Sequence, residues 1–324
     1  MGRSHMNVVT VFGASGFIGR YVVREIAKTG ARVRAAVRRP ERAMFLKPMG
    51  DVGQVVPVAA NIRDDASVAA AVDGADTVIN LVGILQTNGP QNFVSLQEEG
   101  ATRVAAAAKS AGAGSFVQIS AIGADIGSDS AYASTKGAGE KGVQEAFPGA
   151  TVLRPSIVFG PEDDFFNKFA ALARLVPALP LIGGGHTKFE PVYVGDIANA
   201  VAMVAANGGK PARVYELGGP NVYSFRELME ITLAEIGRKR LLVPVPFPIA
   251  EAQATIAELA FAVPKALNLG PVAPITRDQV KLLRKDNVRS GEYPGLDDLG
   301  IQATALELIV PTYLQRYRRG VWHS

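Results

Sequence analysis

The feature that most constrains this chain is a glycine triplet near its start. Val8-Val9-Thr10-Val11-Phe12 is a short, largely β-branched apolar run that leads directly into Gly13-Ala14-Ser15-Gly16-Phe17-Ile18-Gly19. An amphipathic stretch over 21–28 follows. That order predicts a strand, a tight turn and a helix. Gly13 lets the chain turn sharply, Gly16 removes the side chain that would hold a pyrophosphate off the backbone, and Gly19 lets helix and strand pack closely. The helix N-terminus then offers free N–H groups and partial positive charge to an anion. Ser15, Phe17 and Ile18 lie between the glycines and share the candidate cradle.

The rest of the first half keeps the same rhythm. Strand patterns over 31–37, 54–58, 76–82, 115–119 and 151–153 alternate with helical patterns over 65–72, 93–111 and 130–147. Such alternation predicts an α/β fold with a doubly wound parallel sheet, whose ligands sit at the carboxyl ends of the strands. After Gly160 the rhythm breaks. Pro161, Pro177, Pro180 and the run Gly183-Gly184-Gly185 predict long loops. A strand end and helix are expected over 192–206 and a strand over 214–217. A helix over 224–236 is expected to be capped by Ser224 with Glu227 three residues on. The stretch 244–274 is proline-rich around an amphipathic helix, and Thr276 is expected to cap a helix running into Lys285. The organisation expected is an expression scar at 1–6 and a nucleotide-binding domain at 7–160 with a returning strand-helix near 190–207. A smaller C-terminal α/β lobe at 161–324 completes it.

Composition narrows the function classes. The 324 residues are 48% hydrophobic and 20% charged, with a net charge of +4. Basic residues are dispersed, apart from Arg238-Lys239-Arg240 and the 316–319 tail, which fits a solvated surface better than a nucleic-acid footprint. The chain has no cysteine, so no disulfide frame and no thiolate nucleophile. His5 lies in the apparent scar, and His186 and His323 alone suggest no metal site. No apolar run reaches transmembrane length: the nearest, 248–263, is interrupted by Glu251 and Glu258. A cytoplasmic protein is the expectation.

Several constellations fall at the predicted strand ends. Arg38 and Arg39 close the second strand, where an acidic residue would receive the adenine-ribose hydroxyls of NAD; arginine there grips a 2′-phosphate, which favours NADP(H) over NAD(H). The alternative is a basic surface loop. Asn61 and Ile62 follow the third strand, where the adenine ring would rest, and Asp64 is placed to cap the next helix. Leu81, Val82 and Gly83 end the fourth strand, small or apolar enough for a diphosphate-ribose to pass. Tyr132 and Lys136, at i and i+4, share one helix face. An ammonium there is expected to lower the tyrosine pKa and to hold a ribose, and Ser120 at the end of the fifth strand would donate to a carbonyl. Arg154-Pro155-Ser156-Ile157-Val158 follows the sixth strand, either closing the nicotinamide side through Pro155, Ile157 and Val158 or simply ending a strand at proline.

Together, Gly13-x-x-Gly16-x-x-Gly19, Tyr132-x-x-x-Lys136 and Arg154-Pro155 through Gly160-Pro161 resemble the extended or atypical short-chain dehydrogenase/reductase superfamily. That resemblance implies a Rossmann-type domain with a small substrate lobe. The stretches Pro191-Val192-Tyr193-Val194-Gly195-Asp196, Ile275-Thr276-Arg277-Asp278 and Pro294-Gly295-Leu296-Asp297-Asp298-Leu299-Gly300-Ile301-Gln302-Ala303-Thr304 are similar to the ninth alpha-subcomplex accessory subunits of respiratory complex I and their bacterial relatives. This implies a tightly held NADPH and a mainly structural or assembly role with weak or no turnover. It also implies complex I, or a related membrane-associated assembly, as partner, at the inner face of the membrane or the matrix side of a mitochondrion. Two departures from active reductases bear on that role: Ser120 is followed by Ala121 where a hydroxyl is usual, and Gln97 stands for the expected asparagine. Loss of a hydroxyl weakens polarisation of a carbonyl. The alternative is an NADPH-dependent oxidoreductase of a small carbonyl or quinone, with Tyr132 as general acid.

Overall fold

The computed structural model describes residues 7–87, 89–208, 213–261 and 275–318. The scar expected at 1–6, with His5, the 262–274 part of the proline-rich stretch, and 319–324 with His323 lie outside the described residues. The chain divides into two compact units. The first takes in the described residues up to Pro155, then Val194–Leu217 and Ser290–Gln302; the second comprises Ser156–Tyr193, Gly218–Arg289 and the described residues from Ala303.

The first unit is built on a sheet of seven strands. Six are β1 (Val8–Phe12), β2 (Arg32–Val37), β3 (Val55–Ala59), β4 (Thr77–Asn80), β5 (Ser115–Ile119) and β6 (Thr151–Pro155), and Val214–Leu217 adds the seventh. The order is Val214–Leu217, β6, β5, β4, β1, β2, β3, with every neighbouring pair parallel. The order reverses at β1, between β4 and β2, so the crevice of this sheet opens at the carboxyl end of β1. Phe12 is level with both Ala36 and Asn80 there. Strands β4 and β5 are buried at every position, as strands covered on both faces must be.

Helices α1 (Phe17–Lys28), α2 (Asp65–Val72), α3 (Glu99–Ser110) and α4 (Ala131–Ala146) pack on the sheet, as does the helix Val194–Ala206 beside α1. Tyr21, Val22, Val23, Ile26 and Ala27 form the buried face of α1. Phe12, Val68, Val104, Phe116 and Val143 belong to one continuous core. The Asp64 carboxylate caps α2 by accepting from Ser67 N at 2.6 Å. The long helix expected over 93–111 is divided: residues Val94–Glu98 form a wide π turn before α3 begins. The turn brings the Gln97 carbonyl against Gly139 of α4, an approach that leaves no room for a Cβ.

The division differs from the expected boundary at 160. The first unit ends at Pro155, and the returning segment is the helix Val194–Ala206 followed by the strand Val214–Leu217. The short strand Val192–Tyr193 instead pairs with Val158–Phe159 in the second unit. Ser290–Gln302 also rejoins the first unit. Glu216 accepts from Ser290 N at 2.6 Å and Oγ at 2.9 Å, Glu216 N donates to Pro294 O at 2.9 Å, and Leu296 is buried. Gly300, at φ +70°, ends the turn Asp297–Leu299. The late motif is thus a plug on the last strand of the sheet.

In the second unit, Phe159, Phe166, Phe189, Phe225 and Leu228 centre a separate core. Ser224 and Thr276 both form capping boxes, with Glu227 and Gln279, on the helices Phe225–Glu235 and Arg277–Leu282. The loops expected around Pro177 and Pro180 are instead the helix Phe165–Leu175 and the strand Ala178–Ile182, paired in parallel with Leu241–Val245. A two-stranded sheet consists only of edge strands, where proline is tolerated. Among the described residues no helix is long and apolar enough to cross a membrane.

Candidate functional site

The glycine turn has a different constraint at each of its three positions. Gly13 leaves β1 at φ +78°, and a Cβ there would stand 3.2 Å from the Leu81 carbonyl carbon. Gly16 N donates to Gly13 O at 3.0 Å, and Gly16 is the extended N-cap of α1. A Cβ on Gly19 would run into the carbonyl groups of Gly13 and Ala14. No side chain caps α1, and its first turn carries no acidic residue. An uncapped, carboxylate-free helix start at a switch point is an anion cradle. Ser15, Phe17 and Ile18 are partly exposed along it.

Around the cradle the strand ends converge. Arg38 and Arg39 leave β2 exposed, and Arg38 Nη1 donates to Gln91 Oε1 at 2.7 Å. Gln91, in the loop after β4, carried no signal in the sequence because it belongs to no periodic pattern. Asn61 Oδ1 accepts from Arg63 N at 3.2 Å, and Asn61 N donates to Ser67 Oγ at 2.9 Å. Ile62 is a core residue, packed over Gly100 and 5% exposed, so what it offers a ligand is main chain. Leu81 N donates to Phe12 O at 3.0 Å, which ties the end of β4 to the glycine turn. Gly83 is exposed, and a Cβ on it would lie 3.2 Å from Lys136 Nζ. The end of β4 therefore links the cradle to α4.

Ser130 caps α4, its Oγ accepting from Ala133 N at 3.3 Å, and this sets Tyr132 and Lys136 on the first two turns. Lys136 is buried, with Nζ donating to Ile119 O at 3.4 Å and standing 5.9 Å from the Tyr132 ring centroid. Phe93 meets the Tyr132 ring edge-on at 5.9 Å. The expected lowering of the tyrosine pKa is corrected here. Burial pushes the Tyr132 phenol up to about 12. Burial brings the Lys136 ammonium down to about 8, against the opposing charge of Glu140. Desolvation of both groups outweighs the pairing that i, i+4 spacing suggests.

Ser120 is buried at the end of β5, and its Oγ has no hydrogen-bond partner. Gln97 donates from Nε2 to Ile84 O at 2.9 Å, and its buried Oε1 is also unpartnered. Ala121 is partly exposed beside Ser120. Pro155 ends β6, its carbonyl accepting from Ile122 N at 3.0 Å. Ile157 and Val158 belong to the second unit, where Ile157 N donates to Asn287 Oδ1 at 2.9 Å and Val158 pairs with Val192. Arg154 is structural. Its guanidinium forks onto Glu140, with Nε 2.9 Å from Oε1 and Nη2 2.6 Å from Oε2, and lies 5.0 Å over the Tyr293 ring. Burial disfavours its charge, but the bond and the charge of Glu140 prevail and hold its pKa above the ordinary value. Among the described residues, no group of three metal-ligating side chains occurs.

A model described as the NAD dependent epimerase/dehydratase family matches residues 9–218. NADH dehydrogenase [ubiquinone] 1 alpha subcomplex subunit 9, mitochondrial, of Arabidopsis thaliana is 38% identical over 325 residues, covering 98% of this chain and 80% of the relative. Ceramide reductase of Caulobacter vibrioides is 30% identical over 250 residues, covering 76% of each. Among solved structures, Citrobacter sp. triphenylmethane reductase superposes with a TM-score of 0.72 at 21% identity, over 95% of this chain and 99% of that one.

Proposed function

The chain belongs to the NAD-dependent epimerase/dehydratase family, and on that premise we propose that it holds NADP(H) as a resident part and serves as an accessory component of a membrane-associated NADH dehydrogenase. The observation that carries the cofactor reading is the cradle of Gly13, Gly16 and Gly19 at the uncapped start of α1. Gly13, Ser15, Gly16, Phe17, Ile18 and Gly19 would hold the diphosphate. Arg38, with Arg39 beside it, would hold a 2′-phosphate. Asn61 and Ile62 would border the adenine, and Leu81, Val82 and Gly83 the ribose passage. Tyr132 and Lys136 would border the nicotinamide ribose, with Pro155 on the nicotinamide side. When bound, the cofactor supplies or accepts a hydride. The identity over 98% of the chain to a subunit-9 protein supports the partner.

Weak turnover is supported by the chemical end. With its phenol pushed up to about 12, Tyr132 stays protonated at pH 7. It is thus a poor base for hydroxyl oxidation and a reluctant donor for carbonyl reduction. Ala121 adds no second hydroxyl. The test is to denature the purified protein and identify what it releases, and to follow the protein in membrane extracts of the cells that make it. NADP(H) near one per chain, with the protein migrating alongside NADH dehydrogenase subunits, is the expected result. Nucleotide-free protein, or one that never migrates with that assembly, overturns the reading.

One observation favours a second reading, an NADPH-dependent oxidoreductase of a small carbonyl or quinone. The buried Ser120 Oγ lacks a partner, and such a group is satisfied when a ligand oxygen accepts from it. Steady NADPH oxidation with a carbonyl or quinone, abolished in Tyr132→Phe, would establish this reading over the first.

A further inference from the structure

We propose that Gln91 is a positioning residue for cofactor choice: its side-chain oxygen fixes the Arg38 fork so that the remaining N–H groups face a 2′-phosphate. The inference rests on the reading of Arg38 as the phosphate-gripping residue. Arg38 projects from the end of β2 with five donors in a rigid plane, and among the described residues no carboxylate pairs with it. One edge is committed, because Nη1 donates to Gln91 Oε1 at 2.7 Å. An amide oxygen orients the guanidinium without neutralising it. A carboxylate in the same place would orient it, cancel its charge and repel a phosphate.

The loop that presents Gln91 is braced on both sides. Pro90 O accepts from Arg63 Nη1 at 3.2 Å, which fastens the loop to the segment after β3. The same carbonyl accepts from Ser95 Oγ at 3.1 Å. Asn92 and Ser95 exchange bonds, Ser95 N to Asn92 Oδ1 at 2.8 Å and Asn92 N to Ser95 Oγ at 3.3 Å. Gln91 thus reaches Arg38 from a fixed base. An arginine free to rotate in water loses side-chain entropy each time it grips an anion, and one already held on one edge loses less.

The test compares Arg38→Ala, Gln91→Ala and Gln91→Glu with the unaltered full chain. NADPH and NADH affinities are titrated by nicotinamide fluorescence. The NADP(H)-to-NAD(H) ratio released on denaturation is a second readout that needs no turnover. Arg38→Ala is expected to erase most of the preference for NADPH, about 100-fold, and Gln91→Glu to reduce it about tenfold or more, as loss of charge-assisted bonds to phosphate implies. Gln91→Ala is expected to reduce it about threefold, with NADH affinity within about twofold of the parent in both Gln91 variants. If Arg38→Ala removes the preference while both Gln91 variants keep it, the Gln91 proposal fails and the reading of Arg38 stands. If Arg38→Ala leaves the preference intact, the reading of Arg38 itself fails.

Discussion

The glycine turn and the Tyr132–Lys136 pair, both at the carboxyl edge of the sheet, are built on opposite principles. At the first, backbone is brought into close approach by residues without side chains, and polar groups stay open: an uncapped helix start and an exposed Arg38. At the second, polar groups are buried or half-buried and displaced from their ordinary titration ranges, Tyr132 upward and Lys136 downward. The first end suits holding an anion. The second buries Lys136 and half-buries Tyr132, and desolvation disfavours the charged form of each. The difference teaches that a family's binding apparatus and its chemical apparatus are separable, because they depend on different atoms.

The largest expected effect would break the binding end alone. Gly19→Val forces a branched side chain into the carbonyl groups of Gly13 and Ala14, which are backbone and have nowhere to move. A loss of stability of about 3 kcal/mol or more is expected, with nucleotide absent from whatever folds. Gly16→Ala is the contrast. Its Cβ would sit 3.2 Å from Gly13 O, close but tolerable, so the fold should survive with weakened nucleotide retention. Thermal unfolding and nucleotide content separate the two; equal retention of nucleotide in both would refute the cradle.

Next comes the ion pair beneath the chemical end. Glu140→Gln leaves the Arg154 guanidinium short of its bidentate partner, with Glu216 Oε1 3.9 Å away as partial compensation. Breaking one side of a buried pair is expected to cost about 3 kcal/mol. The same change removes the one charge that opposes the depressed Lys136 pKa, so the lysine should titrate lower still. Denaturant unfolding gives the first quantity and NMR titration of the lysine amine the second. An unchanged lysine would show that Glu140 does not reach it.

Lys136 itself sharpens the comparison through pH. Its folded pKa of about 8 lies below the ordinary 10.5, so between those values the unfolded chain binds more protons than the folded one. Stability linked to this group therefore rises with pH across that window, and below about 8 the full penalty of the buried charge is present. Lys136→Met is expected to stabilise the nucleotide-free protein by about 3 kcal/mol at pH 7, with the gain shrinking toward pH 10.5. Urea unfolding at pH 7 and pH 10 checks this. A gain of equal size at both would assign it to packing.

Much of this was legible in the sequence because the responsible physics is local. The glycine spacing, the Asp64 cap and the Ser224 capping box involve residues within a turn of one another, and the buried strands of a parallel sheet show as apolar runs. What was not legible depends on distant partners. The return of Ser290–Gln302 to the sheet edge rests on Glu216, a single buried carboxylate far away in the chain. The π turn at Val94–Glu98 reflects a close contact with Gly139. Gln91 acquires meaning only because a loop lays it beside Arg38. The direction of the Tyr132 shift follows from burial by the whole fold, which helical spacing does not encode.

The smallest effect asks whether the chemical end still expects a ligand. Ser120 Oγ is buried without a partner, a cost of about 1 kcal/mol that a native fold usually carries for a reason. Ser120→Ala removes that cost, so the nucleotide-free protein should gain about 1 kcal/mol in stability. The informative measurement repeats the comparison with nucleotide retained and candidate carbonyls or quinones added. If the hydroxyl serves a ligand, the added compound stabilises the parent more than the variant and the gain disappears. If the gain is the same in every condition, Ser120 is an inherited hydroxyl with nothing left to bind. The two halves of the site then differ in purpose as well as in construction.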